Sequence, residues 1–115
     1  MIITLKYKDT LIVDDFKFKC SIGKNGIKKN KIEGDGCTPK GTFSIGNLYY
    51  RADRILKPKT KLFSKKIHKK MGWCNDSSNG LYNKEVSILK KIKCEKIFRK
   101  DYKYNLFILI KYNYP

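Results

Sequence analysis

Apolar and polar positions alternate most cleanly at Phe16-Lys17-Phe18-Lys19-Cys20-Ser21-Ile22, a period of two that predicts a β-strand. Ahead of it, residues 2–7 and 10–14 are short apolar runs, so the chain is expected to open with three consecutive strands in a meander. Lys8-Asp9 and Asp14-Asp15 are the two-residue turns this requires, although neither contains the glycine that a primed turn prefers. The alternation puts Cys20 on one face with Phe16, Phe18 and Ile22, which assigns that face to the core. From Gly23 to Gly41 the chain is rich in Gly, Lys, Asn and Asp and predicts a long ordered loop or turn series. Beyond Pro39, residues 41–46 are β-like with Phe43 and Ile45 on one face, and Leu48-Tyr49-Tyr50 continues the run.

Residues 51–70 show neither period, which justifies only a short helical turn near residues 53–56 within a basic connection. Val86, Ile88, Leu89, Ile92, Ile97 and Phe98 fit one helix stripe and a strand-and-turn unit equally well. Tyr104 to Ile110 is a nearly continuous aromatic and aliphatic run, expected to be a central strand buried on both faces. Such a strand needs neighbours on both edges.

Composition narrows the class. A chain of 115 residues, 41% of them hydrophobic, buries one modest core, so a single domain over 1–115 is expected. The net charge of +17 makes a field that attracts polyanions, whether nucleic acid, anionic lipid or acidic wall polymer. Only Arg51, Arg54 and Arg99 are arginines among 27 basic residues. Base and phosphate readers favour the flat bidentate guanidinium, so the lysine excess argues against a nucleic-acid partner and for a solvated surface. There is no basic leader followed by a long apolar stretch and no run long enough to span a membrane, so a cytoplasmic chain is expected as written. Cys20, Cys37, Cys74 and Cys94 have no Cys-x-x-Cys spacing and only His68 beside them, which predicts free thiols, no metal and no cofactor. His68 lies in Lys65-Lys66-Ile67-His68-Lys69-Lys70 and reads as a solvated ring.

Three ordered motifs carry a resemblance. The first is Gly34-Asp35-Gly36-Cys37-Thr38-Pro39-Lys40-Gly41-Thr42-Phe43, in which glycines supply special backbone angles, Pro39 fixes an extended approach and Phe43 anchors the next strand. The second is Gly72-Trp73-Cys74-Asn75-Asp76 followed by Tyr82-Asn83. The third is Glu95, Phe98-Arg99-Lys100-Asp101, Tyr104-Asn105-Leu106, an apolar strand, and Tyr112-Asn113-Tyr114-Pro115. Together they resemble the L,D-transpeptidase catalytic domain (YkuD-type) family.

The resemblance implies a mainly β fold, a curled or sandwiched antiparallel sheet, with the peptide stem of peptidoglycan as substrate partner in the periplasm or cell wall. It also implies a cysteine nucleophile forming a thioester, a histidine base and backbone amides around the oxyanion. In the family these follow as a Gly-Ser-x-x-Phe-x-His strand and a Gly-Cys segment. This sequence stops at Pro115, so no residue is assigned a catalytic role. The expected chain is a C-terminally incomplete domain, inactive alone, with a gene fragment as its expected origin; a non-catalytic basic binding module is the rival. Trp73, Asp76, Tyr82 and Asn83 suit a groove for an extended polar ligand. The same residues also suit an ordered loop held by a buried Trp and an Asx-turn. Asn113 is placed near the family's histidine by resemblance alone.

Overall fold

The alternation in the first twenty residues folds as a meander: β1 (Ile3–Lys6), β2 (Thr10–Val13) and β3 (Phe16–Lys19) pair antiparallel in that order. The computed structural model describes residues 1–112, and the chain divides into two compact units, Met1–Thr42 and Phe43–Pro115. The Asp14-Asp15 turn has two residues, since Val13 pairs with Phe16. The first turn has three, Tyr7-Lys8-Asp9, because Lys6 pairs with Thr10. Tyr7, Lys8 and Asp14 adopt positive φ, so both turns bend without glycine and accept some backbone strain.

Register aligns Ile3, Val13 and Phe16 in one row and Leu5, Leu11 and Phe18 in the next, giving a sheet face of six apolar side chains. That face is not a sealed core. Phe16 is 67% exposed and Phe18 53%, so the expectation that these residues and Cys20 form the interior is corrected. Period-two alternation identifies which residues share a face, but not whether another layer covers it.

The predicted loop from Gly23 to Gly41 is held by specific bonds and by one short parallel ladder, β4 (Ile27–Lys28) against β5 (Thr38–Pro39). Asp35 accepts from the amides of Ile32 (2.7 Å) and Cys37 (2.8 Å), which holds its carboxyl below the usual range. Thr38 Oγ1 accepts from the Gly23 amide at 2.7 Å. A side chain at Gly23 would run into the backbone carbonyl of Gly36, so the two arms of the loop approach each other only through that glycine.

The second unit holds two three-stranded sheets around one core. In the first sheet β6 (Ile45–Tyr50) lies between β11 (Leu106–Ile110), antiparallel, and β7 (Ser64–Lys66), parallel. In the second, β8 (Met71–Cys74) lies between β10 (Cys94–Lys96) and β9 (Glu85–Ser87), both antiparallel. The ambiguous 86–98 segment is therefore strand, turn and strand. β7 went unread because Ser64-Lys65-Lys66 carries no apolar pattern; it is a strand only because β6 offers it an edge. The helical turn forms slightly early, with the Ile55 amide donating to the Arg51 carbonyl.

Tyr49, Ile67, Met71 and Ile97 make the buried cluster, with Trp73, Phe98, Tyr104 and Phe107 packed against it. Tyr49 stacks on Phe107 (centroids 4.6 Å, 4° between planes), and Trp73 stands edge-on to both. The useful part of β6 is Leu48–Tyr50, all buried, whereas Ile45 is exposed; Phe43 packs edge-on against Tyr112. Opposite Leu109, Gly46 and Asn47 form a bulge that breaks the β6–β11 register.

The strand expected at the centre, β11, is an edge. Among the described residues it pairs with β6 alone, and Leu106, Ile108 and Ile110 are exposed while Phe107 and Leu109 are half-buried. Strong apolar content predicted the strand, but not its burial, since alternate residues of it are exposed. The described residues include no helix, hence none long and apolar enough to cross a membrane.

Met71 has no exposed surface and sits where the two sheets meet. Met71→Ala is expected to cost about 3 kcal/mol through lost burial and a residual cavity, read as a lower denaturant midpoint with unchanged slope.

Candidate functional site: a hollow along the free edge of β11

The hairpin between β8 and β9 sets the position of Trp73. Asp76 Oδ1 accepts from both the amide (3.0 Å) and the hydroxyl (2.7 Å) of Ser78, an Asx-turn whose bonds hold the Asp76 carboxyl below its ordinary range. Asn79 Oδ1 accepts from the Leu81 amide, and Asn83, at φ 60°, closes the loop by donating its amide to the Cys74 carbonyl at 2.9 Å. The Asn83 side chain then accepts the Trp73 indole N–H at 2.9 Å. A tertiary bond thus holds the indole upright on β8.

Across the ladder, Glu95 is the direct partner of Trp73. Glu95 accepts from the Tyr104 hydroxyl at 2.6 Å. Burial, and then this bond to a carboxylate, push the Tyr104 phenol up to about 12. Tyr104 also packs edge-on against Phe107.

Trp73, Glu95, Ile97, Tyr104 and Phe107 border a hollow of about 260 Å³ whose remaining wall is β11 from Ile108 to Ile110. Consecutive strand side chains point to opposite faces, so a hollow that touches four residues in a row meets the strand at its edge. Among the described residues no strand pairs the outer edge of β11, and that edge with the aromatic floor suits an extended chain that adds as a further strand. A second, wider hollow of about 490 Å³ lies beside Lys96, Phe98, Arg99, Lys100 and Asp101. There Arg99 pairs with Asp101 at 2.8 Å and Arg51 lies over the Phe98 ring.

Of the residues singled out from sequence, Trp73 lines the first hollow and Asn83 orients it from behind. Asp76 is spent on its own turn, and Tyr82 is half-buried in the same loop. Neither borders the hollow, and Asn113 lies outside the described residues. Glu95, Tyr104 and Phe107 were missed as site residues. The third motif contained the first two, but only the β8–β10 register and the β11 pairing bring them to Trp73.

The three arginines are all turned to internal use. Arg51, 4% exposed, grips Asp53 through two bonds (2.8 and 2.7 Å) and donates to the Arg99 carbonyl at 2.7 Å. Arg54 donates to the Lys100 and Asp101 carbonyls and to Asn105 Oδ1. Arg99 pairs with Asp101, which lowers that carboxyl to about 2.

No base attends the cysteines. His68 is exposed, and its Nδ1 accepts from the Lys70 amide at 3.3 Å. Cys74 is buried, with the Asp76 carbonyl 4.0 Å from its sulfur. The Cys37 sulfur turns to the carbonyls of Asn25 and Asp35 within its own loop. All four thiols are free, and no cluster of three metal-ligating side chains forms among the described residues.

Together these features define a small, mainly β protein with a peptide-sized opening at a strand edge. The chain belongs to the L,D-transpeptidase catalytic domain family, whose model matches residues 3–113 and so spans both units. No curated protein and no solved structure matches it.

The phenol gives a direct check on the site. Its raised value means that Tyr104 contributes stability that is intact below about pH 10 and is lost as the pH climbs through about 12. Tyr104 is expected to ionise late in a tyrosinate absorbance titration, and Glu95→Gln is expected to bring its phase down without restoring it fully, because burial, the larger cause, remains. An unmoved phase would show that the Glu95 bond does not form in solution.

Proposed function

We propose that this chain acts in peptidoglycan cross-linking as an L,D-transpeptidase-like protein that holds the stem peptide along β11, and that residues 1–115 do not themselves perform the acyl transfer. The observation that carries the first half is the aromatic floor of Trp73, Tyr104 and Phe107 beside a strand edge that no strand among the described residues pairs, within a chain of this family. An extended stem peptide would take its main-chain bonds from β11 and its apolar contact from the rings, while Glu95 meets a donor on the ligand. The ligand in this reading, the peptidoglycan stem peptide, belongs to the periplasm or cell wall.

The second half follows from what a thioester mechanism needs. Cysteine attack on a carbonyl requires a base within hydrogen-bond reach to take the thiol proton, and donors aimed at the oxyanion. His68 is engaged by the Lys70 amide, and neither Cys74 nor Cys94 bonds to it.

The test uses a disaccharide-tetrapeptide wall fragment. Trp73 and Tyr104 resonances are expected to shift on titration, and Trp73→Ala to weaken binding about tenfold. Intact mass should show neither a thioester adduct nor a cross-linked product. Absence of binding sinks the groove assignment, and an acylated Cys37, Cys74 or Cys94 sinks the inactivity.

One observation favours a second reading, the +17 charge carried mostly on lysine while the three arginines are engaged by carboxylates and backbone carbonyls. A non-catalytic module for anionic wall polymer, or for nucleic acid, would bind through this diffuse field. Binding to a polyphosphate-type wall polymer would then fall steeply with added salt, and Trp73→Ala would leave it unchanged.

A further inference from the structure

Cys74 and Cys94 are separated by twenty residues of sequence and stand directly opposite each other where β8 pairs with β10. The Ile97 amide donates to the Met71 carbonyl and the Asn75 amide to the Lys93 carbonyl, so the hydrogen-bonded pairs of this ladder are 71 with 97 and 75 with 93. Hydrogen-bonded and non-bonded pairs alternate along an antiparallel ladder, which makes Cys74 and Cys94 a non-hydrogen-bonded pair. At such a pair the Cα atoms lie about 4.5 Å apart and both side chains rise from the same face, inside the range a disulfide spans. The Cys94 sulfur rests over Gly72, 2.8 Å from where a Cβ would stand, so the missing side chain there gives the reduced thiol its room. Cys74 is buried and Cys94 half-buried, one inner and one outer thiol.

We propose that Cys74 and Cys94 form a reversible cross-strand disulfide on exposure to hydrogen peroxide, locking β8 to β10 beneath the hollow. The outer Cys94 thiolate attacks the peroxide: an S–O bond forms, the O–O bond breaks, sulfur gives up two electrons and one water leaves. The Cys74 thiolate then attacks the sulfenic sulfur, forming S–S and releasing a second water. Two thiols and one peroxide thus become one disulfide and two waters. Trp73 and Glu95, the neighbouring pair in the ladder, border the hollow, so the crosslink lies one residue from two of its walls. The inference rests on register and thiol chemistry, independently of the ligand proposed above.

Treatment of the full 115-residue chain with hydrogen peroxide, followed by alkylation and protease mapping, tests it. The expected result is a linked peptide pair containing Cys74 and Cys94, an intact mass lower by two hydrogens, and reversal by dithiothreitol. Closing a loop of this length should raise the melting temperature by about 10 °C. Cys94→Ser, at the less buried position, should abolish both effects, whereas the Cys20→Ser, Cys37→Ser double variant should keep them. Oxidation that leaves Cys74 alkylatable, links Cys20 or Cys37 instead, or joins separate chains would overturn the proposal.

Discussion

The Arg51 guanidinium sits at the end of β6 and decides where the chain goes next on both sides. It grips Asp53 in the turn that follows β6, lies over Phe98, and caps the Arg99 carbonyl nearly fifty residues later. A planar fork with fixed donor directions can meet a carboxylate, a carbonyl and a ring face at once; an ammonium on a flexible stem cannot. Arg54 repeats the arrangement on the next stretch, residues 100–105. Between them they bring the segment before β11 against the end of β6. The position of Tyr104, the entry of β11 into its pairing with β6, and the stack of Phe107 on Tyr49 all depend on that attachment.

This accounts for how the basic residues are divided. Arginine is kept where bidentate geometry is needed inside the fold, and lysine supplies most of the field outside. Net charge therefore speaks to long-range attraction of anions, while the shape of the site comes from the few charged groups that are paired and partly buried. The hollow itself has one carboxylate, Glu95, engaged by a phenol, among aromatic and aliphatic surfaces. Its character is apolar and aromatic with one polar anchor.

Cysteine placement separates packing from chemistry in the same way. Cys37 serves a glycine-rich loop, Cys74 fills the layer under Trp73, and Cys94 takes the space Gly72 leaves. None has a histidine to activate it, yet two stand opposite each other at the ladder position whose geometry suits a crosslink. Reactivity toward a carbonyl and reactivity toward an oxidant make different demands, the first a base and oxyanion donors, the second a partner thiol within reach.

Much of the first half of the chain was legible in residue order. Alternation fixed the three-strand meander and its faces, and glycine, Asp35 and Thr38 marked the ordered loop, because these signals act between near neighbours. The Gly-Trp-Cys and Gly-Asp-Gly motifs pointed to the family for the same reason, as did Asp76 to its turn. What local pattern could not contain was which apolar surfaces meet. Phe16 and Phe18 read as core and are exposed; Leu106–Ile110 read as buried on both faces and leaves alternate residues exposed; Ser64–Lys66 read as a connection and is a strand. The hollow joins Trp73, Glu95, Tyr104 and Phe107, and the Cys74–Cys94 pairing joins residues twenty apart. Both follow from strand register, which is set by hydrogen bonds and packing between distant segments and so is decided only when the chain has folded.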